Sequence, residues 1–139
     1  TQGNIEVQND AWWDRVFSGM EKVLSGHEGT ARRTGAGLGY RMAGKSGTAQ
    51  VFSLGQDQRY NAEELAERLR DHALFMAFAP LEEPQIAVAV VVENAGGGST
   101  HAAHLARAMT DAWLLEEEAP ELDEVLEALE NDNGSVAGN

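Results

Sequence analysis

Two short apolar runs separated by a proline-bounded turn constrain this chain more than any other feature. Ala73–Ala79 carries Phe75 and Phe78, Pro80-Leu81-Glu82-Glu83-Pro84 follows, and Ile86-Ala87-Val88-Ala89-Val90-Val91-Val92 runs on to Glu93. Both runs have the length of a strand, and the second falls far short of the roughly 20 apolar residues that a membrane helix needs. The prolines sit where no ladder N–H is required, so the pair reads as an antiparallel hairpin. The second run is apolar at nearly every position, which predicts burial on both faces. A hairpin this apolar needs cover from helices or further strands.

Helical patterns flank it. Asn9 or Asp10 caps a predicted helix from about Ala11 to Ser25, ended by Gly26. Its apolar residues Trp12, Trp13, Val16, Phe17, Met20, Val23 and Leu24 make one broad face, with the two tryptophans as core or interface anchors. Before it, Ile5 and Val7 suggest a short extended segment. Residues 26–39, rich in Gly, Thr and Arg, read as a loop in which His27 is a surface residue. Tyr40–Phe52 reads as a strand containing glycines, and Asn61–Arg70 as a short helix in the polar connector that follows. After Gly96-Gly97-Gly98, Ser99 or Thr100 caps a helix to about Leu115, with Leu105, Ala108, Met109, Ala112 and Trp113 or Leu115 as its stripe. His101 and His104 share a face there but lack a third ligand, so neither a metal site nor any cofactor is expected. The fold class is α/β of the α+β type, an antiparallel sheet with helices packed on its faces. Three strands leave edges exposed, and the set looks like part of a larger sheet.

Charge divides the chain. Of the 139 residues, 23 are acidic and 10 basic, a net charge of −13. Nine of the acids and no base lie from Glu116 onward, which leaves residues 1–115 at −4 and marks 116–139 as an acidic, partly disordered tail. Within that tail Pro120 opens a possible amphipathic helix with Leu122, Val125, Leu126 and Leu129 on one side. An acidic balance argues against non-specific nucleic-acid binding. The absence of cysteine excludes disulfides and thiolate metal sites without fixing a compartment. There is no Met at Thr1 and no leader pattern, so a fragment or a processed chain is expected.

Chemistry concentrates in Arg41-Met42-Ala43-Gly44-Lys45-Ser46-Gly47-Thr48-Ala49-Gln50-Val51. On a strand, Ser46 and Thr48 point one way and Lys45 the other, while Gly47 leaves room for a ligand beside the backbone. Arg15, Lys22, Arg32, Arg33 and Arg41 gather before it. That field suits a small anion, although ordinary surface charge accounts for most of it. Gly39–Ser46 also meets the Walker A spacing, and Val90–Glu93 sits at a position compatible with a Walker B strand. Context opposes a phosphate loop: the preceding stretch is polar rather than an apolar strand, and Gly47–Phe52 favours extended chain over a helix.

The motif with its surroundings resembles the Lys-Ser/Thr-Gly strand of the penicillin-binding proteins and serine β-lactamases. Gly29-Thr30-Ala31 precedes it, and Tyr60-Asn61-Ala62, Ala66–His72, Ala77-Phe78-Ala79-Pro80 and Pro84–Ala89 follow, an order similar to the C-terminal part of the transpeptidase domain in elongation-type class B members. The likeness spans about residues 5–115, and a domain boundary is expected at 115/116. It implies a peptidoglycan D,D-transpeptidase, working through a serine acyl-enzyme. Lys45 and the backbone N–H of Thr48 would be catalytic, and Ser46, Gly47 and Thr48 would bind substrate. It further implies peptidoglycan stem peptides and β-lactams as ligands, elongation-complex membrane proteins as partners, and a site on the periplasmic face of the bacterial inner membrane. None of the serines (Ser18, Ser25, Ser46, Ser53, Ser99, Ser135) opens the Ser-x-x-Lys or Ser-x-Asn motif the family uses. The nucleophile is therefore expected in an N-terminal portion of the same enzyme, and Asn61–Arg70 in a mobile flap beside the groove. A P-loop nucleotide hydrolase and a non-catalytic interaction module are the alternatives.

Overall fold

The computed structural model describes residues 5–51, 70–95, 101–116 and 124. Its elements run α1 (Ala11–Ser25), α2 (Arg32–Gly35), β1 (Ala43–Ala49), β2 (His72–Ala79), β3 (Ile86–Val92) and α3 (His101–Leu114). The three strands form an antiparallel sheet in the order β1-β2-β3, with β1 at one edge. The hairpin, both ends of α1 and the C-terminal end of α3 therefore follow the sequence pattern closely. All but the last residue of the expected helix and flap at Asn61–Arg70, the Ser99/Thr100 cap and nearly all of the acidic tail lie outside the described residues.

Strand alternation builds two unlike faces. On β2, Ala73, Phe75, Ala77 and Ala79 are buried, and register places them beside Val92, Val90, Val88 and Ile86 of β3 and beside Thr48, Ser46 and Gly44 of β1. Helix α3 and the C-terminal end of α1 supply the other wall of this core, through Ala102, Ala103 and Ala106, and through Leu24 and the adjoining Ala31. On the opposite face, Met76 is 55% exposed and Val91 61%, with Ala87 and Ala89 open between them. The expectation that β3 is buried on both faces is thus corrected. Among the described residues, Phe17 of α1 reaches that side, edge-on to Phe78 with ring centroids 5.3 Å apart, and the rest of the face is left open.

Both helix faces also depart from the sequence reading. The inward residues of α3 are Ala102, Ala103, Ala106 and Thr110, whereas Met109 and Trp113 of the expected stripe are 53% and 64% exposed. Small side chains at helical spacing let the helix axis come close to the sheet, and the bulky ones are turned away. Thr110 is tolerated inside because its hydroxyl donates 2.7 Å to the Ala106 carbonyl. On α1, Leu24 is buried and Trp13 stacks on Phe17, but Trp12 and Val16 are about half exposed. The tryptophan pair is not a core anchor as a unit. Asn9 does cap α1, its Oδ1 accepting from Ala11 N at 2.9 Å, while Asp10 makes no side-chain cap bond. Ile5 and Val7 form no strand, and Ile5 is largely exposed. The 26–39 loop contains the four-residue α2, because Ala31 and Thr34 are drawn into the core against Leu24.

Two glycines make these approaches possible. A Cβ on Gly35 would lie 2.2 Å from the Leu24 carbonyl oxygen. One on Gly44 would lie 2.7 Å from the Phe75 ring, so the β1 edge closes over that ring only with no side chain there.

Candidate active site

The Lys45–Thr48 segment occupies the middle of β1, with Lys45 opposite Met76, Ser46 opposite Phe75, Gly47 opposite Leu74 and Thr48 opposite Ala73. Residues opposite each other share a face, so Lys45 lies on the open side and Ser46 and Thr48 on the helix-covered side. The alternation read from the sequence is observed. Lys45 and Thr48 are exposed, and Ser46 and Gly47 are half-buried. The Lys45 ammonium folds back and donates to the Ser46 carbonyl oxygen. Its position is set by its own strand, and it remains on a surface that a ligand or another protein segment can reach. Among the described residues, a Cβ at Gly47 would meet only Leu74 Cβ, at 3.4 Å, so none of them packs tightly against the backbone here. An edge strand of this kind offers outward N–H and C=O groups to an extended peptide.

Two polar assemblies hold β1 in place. At its start, Arg41 makes a bidentate pair with Glu21 of α1 (Nε–Oε1 2.7 Å, Nη2–Oε2 2.9 Å) and reaches Glu82 in the hairpin turn. The Arg41 carbonyl oxygen also accepts from Leu81 N at 2.9 Å. The guanidinium holds the Glu21 carboxyl below its ordinary value of 4.5. Glu82 is lowered as well, first by its own backbone N–H and then by Arg41. The second assembly ties α3 to the segment leading into β1. Arg107 donates to Asp111 Oδ2 (3.0 Å) and to the Thr34 and Ala36 carbonyls (2.8 and 2.6 Å), and Tyr40 Oη donates to Asp111 Oδ1. At the far end of β1, the buried Asp71 accepts from Val51 N at 3.3 Å.

Two of the basic residues before the motif therefore have structural work: Arg41 is clamped by Glu21 and Glu82, and Arg32 donates to the His27 carbonyl at 3.2 Å. The Arg41 guanidinium is thereby committed to carboxylates of the fold rather than to a small anion. The phosphate-loop reading is corrected too. Ala43–Ala49 is a strand in an antiparallel sheet, so Lys45-Ser46 does not open a helix, and β3 runs as the hairpin partner of β2 rather than parallel to it. His101 and His104 are half-buried rather than surface residues, and no group of three potential metal ligands forms among the described residues.

The sequence reading missed one neighbour of the motif. Thr30, in the turn between α1 and α2, places its Oγ1 3.3 Å from Ser46 Oγ. It also borders a surface groove of about 500 Å³ shared with Lys22, Val23, His27 and Gly29. The available signal was Gly29-Thr30-Ala31, a hydroxyl between two small residues ahead of the motif strand.

Comparison with known proteins agrees with this geometry. Residues 2–111 match the family model of the penicillin binding protein transpeptidase domain. The chain is 47% identical over 111 residues to peptidoglycan D,D-transpeptidase MrdA of Haemophilus influenzae, covering 80% of this chain and 17% of that protein. It is 48% identical over 90 residues to MrdA of Escherichia coli K12, covering 65% of this chain and 14% of that one. It therefore spans about a sixth of the length of these relatives. A crystal structure of Pseudomonas aeruginosa PBP2 in complex with WCK 5153 superposes with a TM-score of 0.68 at 47% identity, over 84% of this chain and 23% of that one. PBP2 of Helicobacter pylori, solved in complex with MreC, superposes at 0.63 with 27% identity, over 80% of this chain and 19% of that one.

Proposed function

We infer the function from one premise: the chain belongs to the penicillin-binding protein transpeptidase domain family. It forms one wall of the active site of a peptidoglycan D,D-transpeptidase of the PBP2 type. The observation that carries this is the Lys45–Thr48 segment on an edge strand, with Gly47 open beside it, inside the region matched to the family. The reaction is acylation of a serine by one peptidoglycan stem peptide, with loss of its terminal D-Ala, followed by attack of an amine from a second stem.

Lys45 supplies a fixed cation that biases the proton network of the nucleophile and attracts the substrate carboxylate. The Ser46 and Thr48 hydroxyls hydrogen-bond that carboxylate, and the backbone N–H of Thr48 stabilises the oxyanion as the acyl carbon becomes tetrahedral. Gly47 lets the substrate lie along β1. The remainder of the same enzyme brings the serine and packs on the open sheet face that exposes Met76 and Val91. β-Lactams act at this site as acylating substitutes for the stem peptide. Membrane proteins of the elongation machinery are the expected partners, by analogy with the H. pylori PBP2–MreC complex, and the periplasmic face of the inner membrane is the expected location. The family match ends at residue 111, and we assign residues 116–139 to a segment outside the domain.

Labelled penicillin tests the reading. The chain alone stays unlabelled, and the full-length enzyme containing it is labelled on a serine outside these residues. Lys45→Ala in that enzyme lowers the acylation rate by about a hundredfold or more, the scale of losing one preorganised electrostatic group. Labelling on Ser46, or an unchanged rate in the variant, overturns the assignment. Stabilisation by ATP and magnesium in place of acylation would favour a nucleotide hydrolase.

A further inference from the structure

Thr30 is held more firmly than an exposed turn residue usually is. On one side, Gly29 packs so tightly on the end of α1 that a Cβ there would lie 2.4 Å from the Lys22 carbonyl oxygen and 2.5 Å from that of Val23. On the other side Ala31 is buried, and its N–H donates 2.9 Å to the Val23 carbonyl. Gly29 N to Gly26 O (2.9 Å) and Arg32 N to Gly29 O (3.1 Å) close the turn around it. The Thr30 backbone, and with it the Cβ that carries the hydroxyl, is thereby placed by contacts on both flanks, and the hydroxyl stands 3.3 Å from Ser46 Oγ. A hydroxyl held this way is preorganised, with its ordering cost met by the fold.

We propose that Thr30 is a positioning residue for carboxylate recognition, acting through Ser46; this rests on the function proposed above. A hydroxyl has one proton and two lone pairs. Left alone, Ser46 directs its proton to any nearby acceptor. When Thr30 donates to Ser46 Oγ, one Ser46 lone pair is occupied, and the Ser46 proton is turned outward and polarised for an anionic acceptor. The 3.3 Å separation is longer than the 2.7–2.8 Å usual for paired hydroxyls, so the pair tightens when the carboxylate accepts a hydrogen bond from the Ser46 hydroxyl. No covalent step is added: Thr30 sets the direction of a proton that Ser46 shares with the substrate. The consequence is selectivity for ligands bearing a carboxylate beside the scissile bond.

The test uses the full-length enzyme and two probes, a penicillin with its free carboxylate and the methyl ester of the same compound. Thr30→Val lowers the acylation rate by the free acid about tenfold, the scale of one net hydrogen bond, and leaves the slower ester reaction within about twofold. Thr30→Ser, which keeps the hydroxyl, restores the free-acid rate. In the Ser46→Ala background, Thr30→Val has no further effect, because the residue acts through Ser46. Equal losses for acid and ester, an unimpaired Thr30→Val enzyme, or additive losses in the double variant each overturn the proposal. Failure of the wild-type enzyme to be acylated by either probe is a different result, and it removes the underlying function as well.

Discussion

The two faces of the sheet are made by the same three strands and differ in almost every other respect. One side holds Ala73, Phe75, Ala77 and Ala79 under α3 and the end of α1; the other exposes Lys45, Met76 and Val91. The open side is no less apolar in sequence. What separates them is which elements of this chain reach each side. Cohesion thus rests on the covered face, while the open face combines an exposed cation with apolar surface suited to a covering segment. The motif strand joins the two regimes: Ser46 and Thr48 belong to one side and Lys45 to the other.

The sharpest way to break that comparison is to truncate neighbours on β2. Phe75→Ala leaves a cavity at the centre of the covered face and costs about 3–5 kcal/mol in urea unfolding. Met76→Ala, one residue along, costs less than about 1 kcal/mol. Equal losses would mean that the open face is covered in solution by something within the chain. A smaller contrast lies between the two glycines of β1. Gly44→Ala drives a methyl group into the Phe75 ring and costs about 1–3 kcal/mol. Gly47→Ala leaves stability within about 0.5 kcal/mol, but is expected to slow acylation of the full-length enzyme by crowding the edge along which we propose that substrate lies. The reverse pattern would assign Gly47 to packing and remove it from the site.

The smallest effect expected is in pH dependence. Glu21 and Glu82 have carboxyls held below 4.5 by hydrogen bonds, so their contribution to stability is complete above that value. It fades as pH falls through the lowered folded-state values, when the carboxylates take up protons and release Arg41. Arg41→Met therefore flattens the acid side of a melting-temperature profile by a small amount, because the groups are largely exposed. An unchanged acid slope would show that the clamp does not hold β1 to α1 and the hairpin turn.

Much of the fold was legible in the sequence because local rules and tertiary packing agree there. The α1 boundaries follow from Asn9 and Gly26, and the hairpin from the Pro80–Pro84 turn between two apolar runs. The motif's alternation follows from strand geometry alone. Where sequence reading failed, it had equated side-chain size with burial. On α3 the stripe drawn through Met109 and Trp113 faces outward, and alanines face the sheet, because the space between helix and sheet admits only small side chains. Periodicity shows that a helix has two faces, and it does not show which of them has a partner.

The candidate site divides along the same line. Lys45, Ser46, Gly47 and Thr48 are contiguous, so their chemistry and their alternation were available from the sequence by itself. So were the antiparallel hairpin, the first helix and the resemblance that led to the family. The Arg41 and Arg107 assemblies and the Thr30–Ser46 hydroxyl pair were decided only by the tertiary structure. Apart from Arg107–Asp111 within α3, these contacts join residues 16 to 73 positions apart, and the close packing of Gly29, Gly35 and Gly44 against carbonyls and a ring brings them together. Local sequence sets what each segment prefers; only the shared exclusion of space and water determines which segments meet.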